Sequence, residues 1–441
     1  MQTIRALCIL SLLLSTSFAI SLHTDGESGM AKWIIMYYLC GDSHLANETG
    51  LLLENLSRIG SSRYVRIVVM LDNREKHDTK LCYIDTDGEI RILNDLVGWP
   101  DEVDTGDVNT LLMFCRNSMR LFPAERTALI VFSAGGAGWQ LFSLYDEKTG
   151  HSPTLPQFAD AMRQLTDDGK RKIDVLYTPC ITGMVEVAYE LSPYVRYLVT
   201  TEEHTPDGPK HVERFYRAVE ILKNNPNMSA EDFSKLAPLL HRPCRFSFYR
   251  ENIVTRILDL LPCPSLHRVT MLSTYSAINL SRVRDLVESI DDLSSWLLLH
   301  RYDKETMRAV KLARKAVREY GKAYPKRLPY IIYRFIPLDI FAFDCYIDLY
   351  NFVDLLERNA KNGFIKSLCE KVKINLNESV ILNSCMPGDP SYGLSIYFPS
   401  SRSMYNHYIF GGKIPCKYEE IRFSREFKWD DFLRSYLGIE E

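Results

Sequence analysis

The stretch Ile173-Asp174-Val175-Leu176-Tyr177-Thr178-Pro179-Cys180 decides how this chain folds. A β-rich apolar run over 173–177 stops at Thr178-Pro179 and delivers a lone cysteine. Gly183-Met184-Val185-Glu186-Val187-Ala188-Tyr189-Glu190-Leu191 then follows with helical character. A short apolar run of this kind, interrupted only by Asp174 near its start, predicts a strand buried on both faces, as in a parallel sheet covered by helices. Open α/β sheets gather their chemistry at the carboxyl ends of such strands, and Cys180 falls there. If a helix begins at the cysteine, its positive end favours the thiolate.

Upstream, Ala128-Leu129-Ile130-Val131-Phe132 is a second strand of this kind, running into Ser133-Ala134-Gly135-Gly136-Ala137-Gly138-Trp139. Strands are also predicted at 32–39, ended by Gly41-Asp42-Ser43, at 64–71, and at 195–200, which leads into Thr201-Glu202-Glu203-His204-Thr205-Pro206-Asp207-Gly208. A hairpin is read at 81–85 and 89–93 around Thr86-Asp87-Gly88. Helices fall between these strands: one carrying Leu45, Leu52 and Leu56, one capped by Asp107 and running to 121, and an amphipathic one over 155–165. Alternation of strands and helices predicts an α/β layered fold with a mainly parallel sheet. Right-handed crossovers would then bring 40–44, 133–138, Cys180 and 201–207 to one edge. Past about residue 250 helical periodicity takes over, at 283–299, 305–320 and 346–370, before a strand at 393–399 and a closing helix at 429–437. The expected organisation is an α/β domain over 32–245 and a helical and β C-terminal extension over 246–441.

The chain has 441 residues, a formal charge of −3, 25% charged and 46% hydrophobic residues, which is ordinary globular composition with no basic excess that would call for nucleic acid. Residues 1–19 read as a signal peptide, with Arg5, an apolar run over 7–14, and Ser17-Phe18-Ala19 at the cleavage position. The run is shorter than the roughly 20 residues of a membrane helix. An exported protein, periplasmic or extracellular, with no membrane span after cleavage, is therefore expected. Eleven cysteines include no Cys-x-x-Cys pair, so neither a zinc site nor a thioredoxin-like motif is expected. An oxidising compartment permits disulfides, but the spacing assigns none.

A cysteine hydrolase needs a thiolate, a neighbouring imidazole and backbone N–H groups for the oxyanion. Gly135-Gly136-Ala137-Gly138-Trp139, Thr178-Pro179-Cys180 and Val185-Glu186-Val187-Ala188-Tyr189 occur in the order seen in the clostripain family of cysteine peptidases, which this chain resembles. Met36-Tyr37-Tyr38-Leu39-Cys40-Gly41-Asp42, Glu202-Glu203 with Pro206 and Gly208, and Tyr392-Gly393-Leu394-Ser395-Ile396-Tyr397-Phe398-Pro399 extend the likeness over most of 32–438. The resemblance implies a caspase-like three-layer sandwich, Cys180 as nucleophile, Gly136 as a further catalytic-site position, and a peptide or protein ligand. It implies no organic cofactor and allows calcium. Lys148-Thr149 lies in a loop, 146–152, that some members cut during maturation.

Two departures matter. The family's catalytic histidine falls on Gly135, and the aspartate that helps bind a basic side chain before the scissile bond falls on Thr178. Asp42 and Asp207, with Glu203, remain as acids for a basic-substrate pocket or for calcium. Proton transfer by a placed base contributes about 10²–10⁴-fold, so its loss is severe. His204, after the strand that follows Cys180, is the first candidate for a substitute base, and His44 the second. The residues thus support an impaired homologue that binds peptides or proteins in the former substrate cleft. The alternative is an active endopeptidase, cleaving after basic residues, with a relocated histidine.

Overall fold

A computed structural model describes residues 30–136, 138–206, 208–248, 269–322, 342–407 and 414–439. The expected signal peptide and Asp207 lie outside these residues. The first half of the chain runs β1 (Ala31–Cys40), α1 (Ala46–Ile59), β2 (Val65–Asp72), β3 (Lys80–Ile84), β4 (Ile90–Ile92), α2 (Val108–Leu121) and β5 (Ala124–Phe132). It continues with α3 (Leu155–Leu165), β6 (Ile173–Thr178), α4 (Val185–Leu191), β7 (Val195–Thr200), α5 (Pro209–Asn224) and α6 (Ala230–Leu240). As its sequence suggests, Asp107 caps α2, its side chain accepting from the Asn109 N–H. Such a cap stabilises a helix by about 1 kcal/mol.

One nine-stranded sheet, ordered β13-β10-β7-β6-β5-β1-β2-β3-β4, forms the centre. Its five middle strands are parallel, and Leu39 pairs with both Leu71 and Phe132 while Thr178 pairs with Thr200. The strand ends are therefore level along one edge. Successive residues of β1 point to opposite faces, so Ile34, Met36 and Tyr38 enter one core while Trp33, Ile35 and Tyr37 enter the other. Helices α2, α3 and α4 cover the first face, and α1, α5 and α6 the second. This is a three-layer α/β sandwich, the fold class expected from the sequence. Each fully buried Leu, Ile or Val adds about 1.5–3 kcal/mol of transfer free energy, which explains the apolar runs.

Residues beyond 246 join the same sheet. After the hairpin β8 (Arg245–Phe248) and β9 (Val269–Leu272), β10 (Tyr275–Asn279) lies antiparallel to β7. Then come α7 (Val283–Leu299), α8 (Lys304–Ala316), β11 (Glu319–Lys322), β12 (Ala342–Asp348), α9 (Leu349–Asn359), α10 (Gly363–Ser379), β13 (Val380–Ser384), β14 (Ser395–Tyr397) and α11 (Trp429–Leu437). β13 pairs with β10 at the sheet edge, and β11, β12 and β14 form a small antiparallel sheet.

Three expectations change. The helix read over 346–370 is two helices preceded by strand, because Tyr346, Ile347 and Asp348 complete β12 and the 360–362 segment breaks the remainder. The helix read over 305–320 ends at Ala316, and Glu319–Lys322 is strand. The helix after Cys180 starts only at Val185, since Cys180 and Ile181 adopt left-handed φ values of 77° and 51°. Cys180 therefore sits in a tight turn ahead of that helix rather than at its first residue. No helix among the described residues is long and apolar enough to cross a membrane.

Candidate active site

The turn 178–183 and the segment 201–204 meet at the carboxyl ends of β6 and β7. The Cys180 N–H donates to Thr201 Oγ1 at 2.8 Å, and that hydroxyl donates to the Glu203 carbonyl at 2.7 Å. The Gly183 N–H donates to the Thr201 carbonyl at 2.9 Å. These bonds lock the two loops together and hold Cys180 and Ile181 in a conformation that costs non-glycine residues on the order of 1–3 kcal/mol each. The β-branched Ile181 is the sharper outlier.

That geometry brings a histidine to the sulfur. His204 Nδ1 lies 3.5 Å from Cys180 Sγ. His204 is buried and Cys180 half-buried. Burial pushes the imidazole down to about 4, so it is neutral near pH 7. A neutral ring can accept a thiol proton, although its basicity is modest. The backbone N–H of His204, not its ring, donates to Glu203 Oε1 at 3.0 Å, and the Gly321 N–H donates to the same oxygen at 3.0 Å. Arg318 Nη2 lies 3.6 Å from Glu203 Oε2. Burial lifts Glu203 to about 7, against the pull of Arg318. Glu203 is thus an anchor of the histidine loop rather than an acid facing substrate.

His44, the second candidate, turns to the surface. Its Nδ1 lies 3.0 Å from Glu147 Oε1, with 43% of the side chain exposed.

Gly135 is half-buried, and a Cβ built on it would stand 2.6 Å from Tyr145 Cβ. The space a side chain would need is closed. Tyr145 is held there by its N–H, which donates to Ser133 Oγ at 2.9 Å. Gly136 lies against Cys180 itself: a Cβ on it would come 2.2 Å from the Cys180 carbonyl oxygen. Only glycine allows the two backbones to approach this closely. Trp139 closes the turn from below, fully buried, with its ring 4.6 Å from Tyr397 and its Nε1–H donating to the Cys416 carbonyl at 3.2 Å.

Thr178 does not face a cleft. It is fully buried, and its hydroxyl lies 3.3 Å from Thr182 Oγ1. Asp207 lies outside the described residues. Asp42 is buried beside Asp72 and Asp146, with one oxygen of each within 4.8 Å of the others. Asp72 Oδ2 is buried without a hydrogen-bond partner, and burial lifts Asp72 to about 7, with neighbouring carboxylates adding to the rise. Three hard oxygen donors of this kind fit calcium. Lys148 Nζ, 3.6 Å from Asp42 Oδ2, brings a positive charge to the same cluster. In the 146–152 loop, Asp146 Oδ1 accepts from the N–H groups of Lys148 and Thr149, at 3.0 and 2.9 Å.

Thr201, Glu203 and Tyr145 were not singled out from sequence for these roles. Only the position of Thr201, directly after a strand on the reactive edge, could have marked one of them. No disulfide joins any two of the nine described cysteines. Cys40 is inert by burial, its thiol pushed up to about 12.

Solved structures share this architecture. A secreted C11 cysteine protease from Bacteroides thetaiotaomicron, in complex with an irreversible peptide inhibitor, superposes with a TM-score of 0.58 at 14% identity, over 91% of this chain and 100% of its own. An inactive zymogen C11 protease from Parabacteroides distasonis gives 0.54 at 14% identity, over 92% and 99%. At such identity the likeness shows the fold, which is caspase-like. Among curated proteins, none matches the chain. The model of the clostripain family, peptidase C11, matches residues 37–436, nearly the whole length of the molecule, and the chain belongs to that family of cysteine peptidases.

Proposed function

We propose that this protein is a working cysteine peptidase whose base is His204, the family position at residue 135 having been given up. The observation that carries this reading is the 3.5 Å approach of His204 Nδ1 to Cys180 Sγ. Sulfur contacts are longer than those of oxygen, and catalytic pairs in unliganded enzymes are often loose. The thiol proton passes to Nδ1 as the sulfur attacks the carbonyl carbon of the peptide. The tetrahedral oxyanion collapses, the C–N bond breaks, and the imidazolium returns its proton to the departing amine. Water, deprotonated by the same ring, then cleaves the thioester and frees Cys180. Gly136 fits as a backbone neighbour of the oxyanion, because it is the residue pressed onto Cys180. Calcium, if bound, would be held by Asp42, Asp72 and Asp146 and would relieve their mutual repulsion.

Export belongs to the same proposal and rests on residues 1–19. A second reading, an impaired homologue that only binds peptides, draws support from the low basicity of His204 and from the Cys180 N–H being engaged by Thr201. The two readings separate with purified protein, a peptide substrate and an irreversible thiol probe. Turnover and labelling that vanish in Cys180→Ala, and turnover that collapses in His204→Ala, support the relocated pair. Peptide binding without turnover in the parent protein supports the second reading.

A further inference from the structure

A cavity of about 550 Å³ lies between the first turns of α5, the last turn of α6 and the segment 241–244. That size suits a small ligand or a side chain with its neighbours. It stands on the reactive edge. Pro206, on its wall, is two residues from His204. Tyr275, which backs Arg214 in the same wall, packs edge-on against Tyr177 at 6.2 Å, three residues before Cys180.

The charged lining is one-sided. Among the described residues that line it, Lys210, Arg214, Arg217 and Arg242 face it with a single carboxylate, Glu213. Glu213 is already paired to Arg217 at 2.9 Å. Among the described residues no carboxylate pairs with Lys210, Arg214 or Arg242. Arg214 is the informative one. It is only 6% exposed, its guanidinium lies 4.2 Å from the centre of the Tyr275 ring, and its Nη1 has no hydrogen-bond partner. A buried guanidinium without an anion is unfavourable, and a ring face offsets only part of that. His211 and His241 share the wall, and burial, with Arg214 adding to it, keeps both neutral. The described residues therefore give the cavity an excess of positive charge, and none of them supplies Arg214 with a counter-ion.

We propose that this cavity receives a carboxylate side chain, so that the peptides this protein binds carry aspartate or glutamate near the reacting bond. That the bond is then cut rests on the function proposed above; the selection does not. Thr178, where an aspartate would serve a basic side chain, is fully buried and turned toward Thr182, so nothing at that position opposes the preference.

The test uses full-length protein carrying Cys180→Ala and fluorescein-labelled hexapeptides that differ at one central residue, Glu, Gln or Lys, with binding read by anisotropy. The Glu peptide is expected to bind at least about tenfold tighter than the Gln peptide, the size of one charge-assisted pair. Arg214→Gln should erase that difference. Because Arg214 is buried, the exposed pair Lys210→Glu and Arg242→Glu is tested beside it. With an unchanged melting temperature, this pair should lower Glu-peptide affinity several-fold and leave the Gln peptide unmoved. Equal binding of the Glu and Gln peptides, or preference for Lys, overturns the inference. Acid-selective binding with no turnover in the parent protein overturns the proposed hydrolysis and leaves the pocket standing. Turnover without acid selectivity does the reverse.

Discussion

Tyr145 stands where a side chain on residue 135 would have to grow. The two Cβ positions would be 2.6 Å apart, well inside contact distance. The position proposed above for the family's histidine is therefore packed shut, and a histidine placed there is expected to fail. Gly135→His should destabilise the protein by about 1–3 kcal/mol through overpacking and should not raise peptide turnover. Tyr145→Ala will not rescue it, because the clash is with Cβ. Tyr145→Gly in the same background should recover most of the lost stability. Thermal melts and kcat/KM on the three variants check this, and a gain of activity in Gly135→His alone would refute it.

The pair at the sulfur sets the acid side of the pH profile. His204 is held at about 4 by burial, so the neutral ring survives far below the usual histidine range. The acid limb of kcat/KM is expected near pH 4 rather than near 6.5. His204→Ala should lower kcat about 10²–10⁴-fold. The folded-state pKa is depressed, so the unfolded chain binds the proton first. Stability from this residue is full above about 6.5 and declines as pH falls toward 4. A limb centred at 6.5 would point to an exposed imidazole as the base.

Glu186 gives the opposite slope. Its Oε1 accepts from the Tyr397 N–H and the Tyr418 hydroxyl, both at 2.8 Å, while Oε2 is buried without a partner. Burial lifts it to about 7. Between roughly pH 4.5 and 7 the folded state keeps a proton that the unfolded chain releases, so stability falls as pH rises through that window. Glu186→Gln should raise stability at pH 8 by up to about 3 kcal/mol and flatten the slope, as read from denaturant midpoints. Glu203 and Asp72 titrate in the same window, so some slope will remain.

Gly136 is the most restrictive position of the turn. Gly136→Ala puts a methyl 2.2 Å from the Cys180 carbonyl oxygen, and backbone cannot yield as a flexible side chain would. A shift of the nucleophile by even 1 Å is expected to cost about 10²-fold in turnover. Thiol alkylation and peptide hydrolysis, measured together, should both fall.

The five parallel strands were legible because each is an apolar run buried on both faces. The shared edge that brings His204 toward Cys180 followed from their alternation with helices. What stayed hidden were packing facts. Nothing in the string of residues says that Tyr145 folds back over Gly135, or that the Thr201 hydroxyl bridges two loops. β10 and β13 were missed because Ser276, Asn279, Asn383 and Ser384 dilute their apolar content at the sheet edge. Tyr346 to Asp348 were misread because a short apolar run carries no period of its own. Nor does the string of residues say that the Arg214 guanidinium packs over the Tyr275 ring.

The Ser395 N–H donates to the Gly183 carbonyl at 2.8 Å, and Tyr397 and Tyr418 reach Glu186 just beyond it. The turn that carries Cys180 thus rests on a stretch 212 positions further along the chain. Its shape is set only once the two distant stretches have folded onto one another, so damage to the later one reaches the sulfur without touching it.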